Sequence, residues 1–138
     1  MTVRPILLDT CALLWITHRD PLATAASDAL EEASRERGTV LVSPITAWEV
    51  GQAVAKGRIK LALEPLRWFE TALEAGLALA SMPPSVLVES SFLPHARLRD
   101  PADKILAATA RAFDYRLMTR DRSLLDYASE GHLQAITC

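Results

Sequence analysis

Three aliphatic residues, Ile6-Leu7-Leu8, run directly into an acid, Asp9-Thr10. An apolar run without polar alternation marks a strand buried on both faces, as in a parallel sheet covered by helices. Cys11-Ala12-Leu13-Leu14-Trp15-Ile16 then follows as helix. A strand that ends in a carboxylate before a helix places that carboxylate in the crevice outside the strand ends, where open α/β sheets bind ligands. A lone carboxylate there has little use without a cation. The remaining chain is therefore read for further acids that converge on Asp9.

The order of elements supports this frame. A helix is expected from Thr10 to about His18. A second carries Ala26, Ala29, Leu30 and Ala33 at i, i+3, i+4 and i+7, with Asp28, Glu31, Glu32 and Arg35 outward and Gly38 as its stop. Val40-Leu41-Val42 reads as a second strand. Ser43-Pro44 is a hydroxyl cap followed by proline, opening a helix with Ile45, Trp48, Val50, Ala53 and Val54 that runs to Gly57. Leu66, Phe69 and Leu73 mark the apolar face of another helix before Gly76, and Leu77–Ala80 is a weak third strand. Pro83-Pro84 opens a helical segment through Phe92. Asp100-Pro101 repeats the cap-then-proline signal ahead of an Ala-rich helix to Phe113. Arg116–Thr119 is a fourth strand, Asp121 opens a short helix ending near Gly131, and Leu133–Thr137 is a fifth strand. Alternating strands and helices predict an α/β three-layer sandwich with about five mostly parallel strands. One domain, 1–138, accounts for the length.

Composition narrows the class. Half of the 138 residues are apolar, which excludes a disordered chain. No apolar run reaches the roughly 18 residues of a membrane span, and the start lacks the basic, apolar and small-residue order of a signal peptide. A cytoplasmic, membrane-free protein is expected. Cys11 and Cys138 have neither metal-site nor disulfide spacing and read as small buried or terminal residues. A net charge of −2 argues against a general nucleic-acid coat but leaves room for local basic patches. Lys56-Gly57-Arg58-Ile59-Lys60 is one such stretch, and the Arg/Lys-rich segment from His95 to Arg122 is another. Each is first read as a solvated face. Trp15, Trp48 and Trp68 are assigned to the core by helical spacing. Trp15 or Trp48 is also a candidate lining for an apolar groove beside the acids that takes a segment of a partner protein.

Four acids share one placement. Asp9 follows the first strand and Asp121 the fourth, so parallel packing brings both to one sheet edge. Asp103, in the first turn of its helix, and Glu49, about a turn and a half into another, are within reach of the same edge. Each Asp has an alternative use as a helix cap. Glu49 has no such use, because an acid among apolar helix neighbours is costly unless paired or metal-bound; its alternative is a place on an exposed stripe of the helix. Clustered carboxylates raise one another's pKa until a cation neutralises them. Oxygen-only ligation without Cys or His points to Mg²⁺ or Mn²⁺, ions suited to phosphate hydrolysis by water. His18, His95 and His132 are scattered and read as surface or loop residues without an acid/base pair.

In this order the residues resemble the PIN-domain ribonucleases, and within them the VapC-like toxins of type II toxin–antitoxin pairs. The matching pieces are Leu7-Leu8-Asp9-Thr10 with Leu14-Trp15, Ser43 through Glu49, Asp100-Pro101-Ala102-Asp103, Leu117-Met118-Thr119-Arg120-Asp121, and Gly131-His132-Leu133. The resemblance implies a five-stranded parallel sheet and an acidic Mg²⁺ or Mn²⁺ pocket formed by Asp9, Glu49, Asp103 and Asp121. It implies supporting or substrate roles for Thr10, Thr119, Lys104 and Arg120. It further implies cleavage of single-stranded or loop RNA to a 5′-phosphate and a 3′-hydroxyl, occlusion by a cognate antitoxin, and assembly as a homodimer or toxin–antitoxin hetero-oligomer. The chain departs from the family pattern at Ala102, where an aromatic is frequent, at Lys104, where Arg is, and at Cys11, where Ser is.

Two other classes compete with this reading. A receiver-like phospho-signalling domain needs an acidic pair near the first strand and an Asp after the third. Asp9 has no acidic neighbour, and Leu77–Ala80 leads into Ser81-Met82-Pro83. A catalytically silent PIN-like domain that only binds protein would have no need of the full acid set.

Overall fold

The computed structural model describes residues 3–95 and 97–138. Its elements are β1 (Ile6–Leu8), α1 (Thr10–Thr17), α2 (Thr24–Arg35), β2 (Val40–Val42), α3 (Pro44–Ala55) and α4 (Pro65–Glu74), followed by β3 (Ala78–Leu79), α5 (Pro84–Glu89), α6 (Pro101–Phe113), β4 (Arg116–Thr119), α7 (Arg122–Ser129) and β5 (Gln134–Thr137). All five strands are parallel, in the order β3-β2-β1-β4-β5. β1 is therefore central, with Leu7 level with Leu41 on one side and Leu117 on the other. The order reverses between β1 and β4, and at such a reversal the loops diverge and leave a crevice at the carboxyl ends.

The period of two along a strand divides the core into two layers. Ile6, Leu8, Val42 and Met118 face α1, α2, α3 and α4, meeting Leu13, Ala29, Val50 and Phe69. Leu7, Leu41 and Leu117 face the other way, onto Leu106 and Ala110 of α6 and Leu124 and Tyr127 of α7. Each fully buried aliphatic side chain contributes roughly 1.5–3 kcal/mol. This double burial is why Ile6-Leu7-Leu8 carries no polar residue.

Caps set the helix starts. Asp9, Ser43, Asp100 and Asp121 each accept a backbone N–H with the side chain at the start of α1, α3, α6 and α7. α3 ends in a paired return: Gly57 N–H donates to Val54 C=O at 3.0 Å and Arg58 N–H to Ala53 C=O at 2.8 Å. That closure needs the left-handed backbone of Gly57, at φ +71°.

The structure corrects several local expectations. Leu66 does not face the core. The buried stripe of α4 is Trp68, Phe69 and Ala72, and Leu66 is turned about a quarter of the helix away into solvent. The helix after Pro83 stops at Glu89, leaving Phe92 exposed beyond it. Trp48 is 53% exposed and Cys11 is exposed, whereas Trp68 and Cys138 are buried. His95 and His132 are not scattered: their rings lie 5.7 Å apart, and His132 stacks on Tyr127 at 4.7 Å. Among the described residues no helix is long and apolar enough to cross a membrane.

Candidate active site

Asp9 leaves the end of β1 beside the point where the sheet order reverses. Both of its carboxylate oxygens are held: Ala12 N–H donates to Oδ1 at 2.7 Å and the Thr119 hydroxyl to Oδ2 at 2.5 Å. Thr119, at the end of β4, also accepts the Asp121 N–H at 3.0 Å, and Asp121 Oδ2 accepts the Leu124 N–H at 3.0 Å. One threonine thus fixes the acids of two neighbouring strands relative to each other. On the far side of Asp9, the Thr10 hydroxyl donates to Glu49 Oε1 at 2.5 Å and reaches Thr46 Oγ1 at 3.3 Å, tying α1 to α3.

Asp103 completes the set from the first turn of α6. Burial, and then the negative charges of Asp100, Asp121, Glu49 and Asp9, push its carboxyl up to about 7. Burial also raises Asp9 and Glu49, each offset in part by its threonine hydrogen bond and raised further by acids nearby. The four predicted acids therefore share one electrostatic field. Sequence reasoning took Asp100 only as a cap. Its Oδ1 does accept from Ala102 N–H at 2.8 Å, yet its charge is the largest acidic influence on both Glu49 and Asp103. The signal available was the i, i+3 spacing of Asp100 and Asp103 across one helix start.

Cys11 lies at the mouth of this field. Burial and the charges of Asp9, Glu49, Asp103 and Asp121 push its thiol up to about 11, so it stays protonated. Lys104 is half-buried in the first turn of α6. The Arg120 guanidinium lies 3.4 Å from the centre of the Trp15 ring and donates Nε–H and Nη2–H to the Cys138 carbonyl at 3.0 and 2.8 Å, and from there its charge slightly lowers the Asp9 carboxyl.

The donor set is made of carboxylates and threonine hydroxyls, which suits a hard divalent cation. No ion pair among the described residues neutralises any of these acids. Nor do three of the described His, Cys, Asp or Glu side chains close together as a protein-only cage. An Mg²⁺-type ion would be held here through one or two carboxylates, with water completing its coordination. A larger cleft of 580 Å³ along α7 and β5 is lined by Arg116, Ser129 and Gln134 with no acid, and takes no part in this site.

A PIN-domain family description matches residues 6–130. The chain belongs to the PIN-domain family. It is VapC-like within it: Ribonuclease VapC22 of Mycobacterium tuberculosis is 33% identical over 133 residues, which cover 96% of both chains. Among solved structures, VapBC2 from Rickettsia felis bound to a promoter DNA fragment superposes with a TM-score of 0.67 at 15% identity, covering 96% of this chain and 98% of that one. DNA-bound VapBC from Salmonella typhimurium gives 0.64 at 13% identity, covering 98% of each chain. A toxin–antitoxin complex from Klebsiella pneumoniae gives 0.61 at 21%, covering 96% of each. At these identities the superpositions establish the shared fold.

Proposed function

We propose that this PIN-domain protein is an Mg²⁺- or Mn²⁺-dependent endoribonuclease, and the cytoplasmic toxin of a toxin–antitoxin pair. The observation that carries the reading is the shared field of Asp9, Glu49, Asp103 and Asp121 at the sheet reversal, three of them with raised carboxyls and none in an ion pair among the described residues. Identity to a protein named as a ribonuclease supports the chemistry, and solved relatives described as toxin–antitoxin complexes support the partner.

Asp9 is the anchor. With Oδ1 held by Ala12 and Oδ2 by Thr119, its carboxylate is oriented before any ligand arrives. Asp121 and Glu49 are each restrained through one oxygen, leaving the other to point at a cation or its waters. A bound divalent cation would supply charge at a phosphoryl oxygen and a water acidic enough to attack phosphorus. Hydrolysis breaks the P–O3′ bond and leaves a 5′-phosphate and a 3′-hydroxyl. Asp103, which holds its proton to about pH 7, is the acid whose ionisation cation binding most changes.

The test is incubation of antitoxin-free protein with total cellular RNA in Mg²⁺, Mn²⁺ or EDTA, beside Asp9→Asn. Discrete products that need the metal and vanish in the variant are expected. Equal cleavage by Asp9→Asn, or cleavage that persists in EDTA, would overturn the reading. Co-expression with the partner gene product is expected to yield a complex that suppresses cutting.

A further inference from the structure

Beside the site, a cleft of 350 Å³ has Glu49 and Asp100 in its wall, an apolar floor with Leu14, Ala53 and Pro101, and a rim of Trp48, Gln52, Lys56 and Arg58. Trp48, Gln52 and Lys56 recur every four residues, so they form one stripe along α3, about 12 Å from end to end at 1.5 Å per residue. An aromatic lies at one end, an amide in the middle and an ammonium at the other. The Gly57 return at the end of α3 brings Arg58 to the same wall. The cleft is therefore polarised, with Glu49 and Asp100 at the site and Lys56 and Arg58 away from it. The role of Trp48 needs explaining, because more than half of its large apolar ring lies in water and not in the core.

Resting on the ribonuclease reading above, we propose that this stripe is the track for single-stranded RNA next to the scissile phosphate. One base stacks on Trp48, and the backbone phosphates meet Lys56 and Arg58. An exposed indole stacks any base, and neighbouring cations follow the backbone, the pairing by which single strands are held without sequence preference. On a protein of net charge −2 a polyanion is repelled broadly, so a local cationic wall sets its direction of approach. A protein segment would match the ring but leave Lys56 and Arg58 requiring acids. RNA matches both.

The test uses the full chain in EDTA, where RNA is bound and not cut, with a fluorescein-labelled random pool of roughly 12 nucleotides read by anisotropy. Trp48→Ala is expected to weaken binding about tenfold or more, with Trp48→Phe retaining most of it. Lys56→Glu/Arg58→Glu is expected to weaken binding and to lower the salt slope by about two phosphates. In Mn²⁺ these variants should raise KM while kcat at saturating RNA stays within about twofold. Variants that match wild type in RNA affinity, while wild type cuts RNA, would overturn the track and leave the ribonuclease reading standing. The same holds if the variants lose only a co-purifying protein partner. A folded wild type that neither binds nor cuts RNA would defeat both.

Discussion

The Thr119 hydroxyl donates to Asp9 Oδ2 at 2.5 Å, joining residues 110 positions apart in sequence. Thr119 Oγ1 in turn accepts the Asp121 N–H, so one buried side chain holds Asp9 and starts the turn that presents the next acid.

Replacing Thr119 by Val keeps the shape and removes both bonds. Leaving a buried carboxylate oxygen and an N–H without a partner costs about 1–3 kcal/mol. Urea unfolding should show that loss, and cleavage in Mn²⁺ should fall by at least about tenfold through misorientation of Asp9. Thr119→Ser should recover most of both. A Val variant as active as wild type would mean that Asp9 needs no such restraint.

Metal-free stability should fall as pH rises from about 4 to about 7. Asp103 ordinarily ionises at 3.8 but holds its proton to about 7 in the folded protein. Across that window the unfolded chain has released a proton that the folded chain retains, so rising pH favours unfolding. Asp9 and Glu49, also raised, act in the same sense. Urea midpoints in EDTA at several pH values measure the slope. Asp103→Asn should flatten it, keep the fold and abolish metal-dependent cutting. A midpoint that climbs through this window would contradict the raised carboxyls.

Arg120 and Trp15 should be coupled. The guanidinium over the ring contributes about 0.5–2 kcal/mol beyond its hydrogen bonds. A double-mutant cycle with Arg120→Ala and Trp15→Leu should return a coupling of that size, and Arg120→Lys should not restore the paired bonds to the Cys138 carbonyl. Additive losses would show that the contact contributes nothing.

Much of the fold was legible because strong local signals coincide with tertiary roles. β1 and β4 were read with their observed boundaries, and cap-then-proline signals marked the starts of α3 and α6. The sequence placed Asp9, Glu49, Asp103 and Asp121 at one edge because strand ends and helix starts meet there, and the structure gathers them in one field. Cap and cluster are not alternatives: Asp9 and Asp121 each accept a backbone N–H at a helix start and still lie among the grouped acids. What sequence missed depends on rotation about a helix axis and on distant neighbours. Leu66 and Trp48 have the right chemistry for a core but lie on the wrong side of α4 and α3. The closeness of His95 and His132 depends on how the segment before α6 packs beside α7, which no local pattern encodes.

Because β1 sits in the middle of the sheet, one of its edges waits for β4. During synthesis at about 5–20 residues per second, roughly 5–20 s separate Asp9 from Thr119. Through that interval the nascent chain carries the anchor acid without the strand that orients it. A ribosome releasing the chain early yields a fragment that lacks the active geometry, so the order of the strands makes the assembled site a late product of translation.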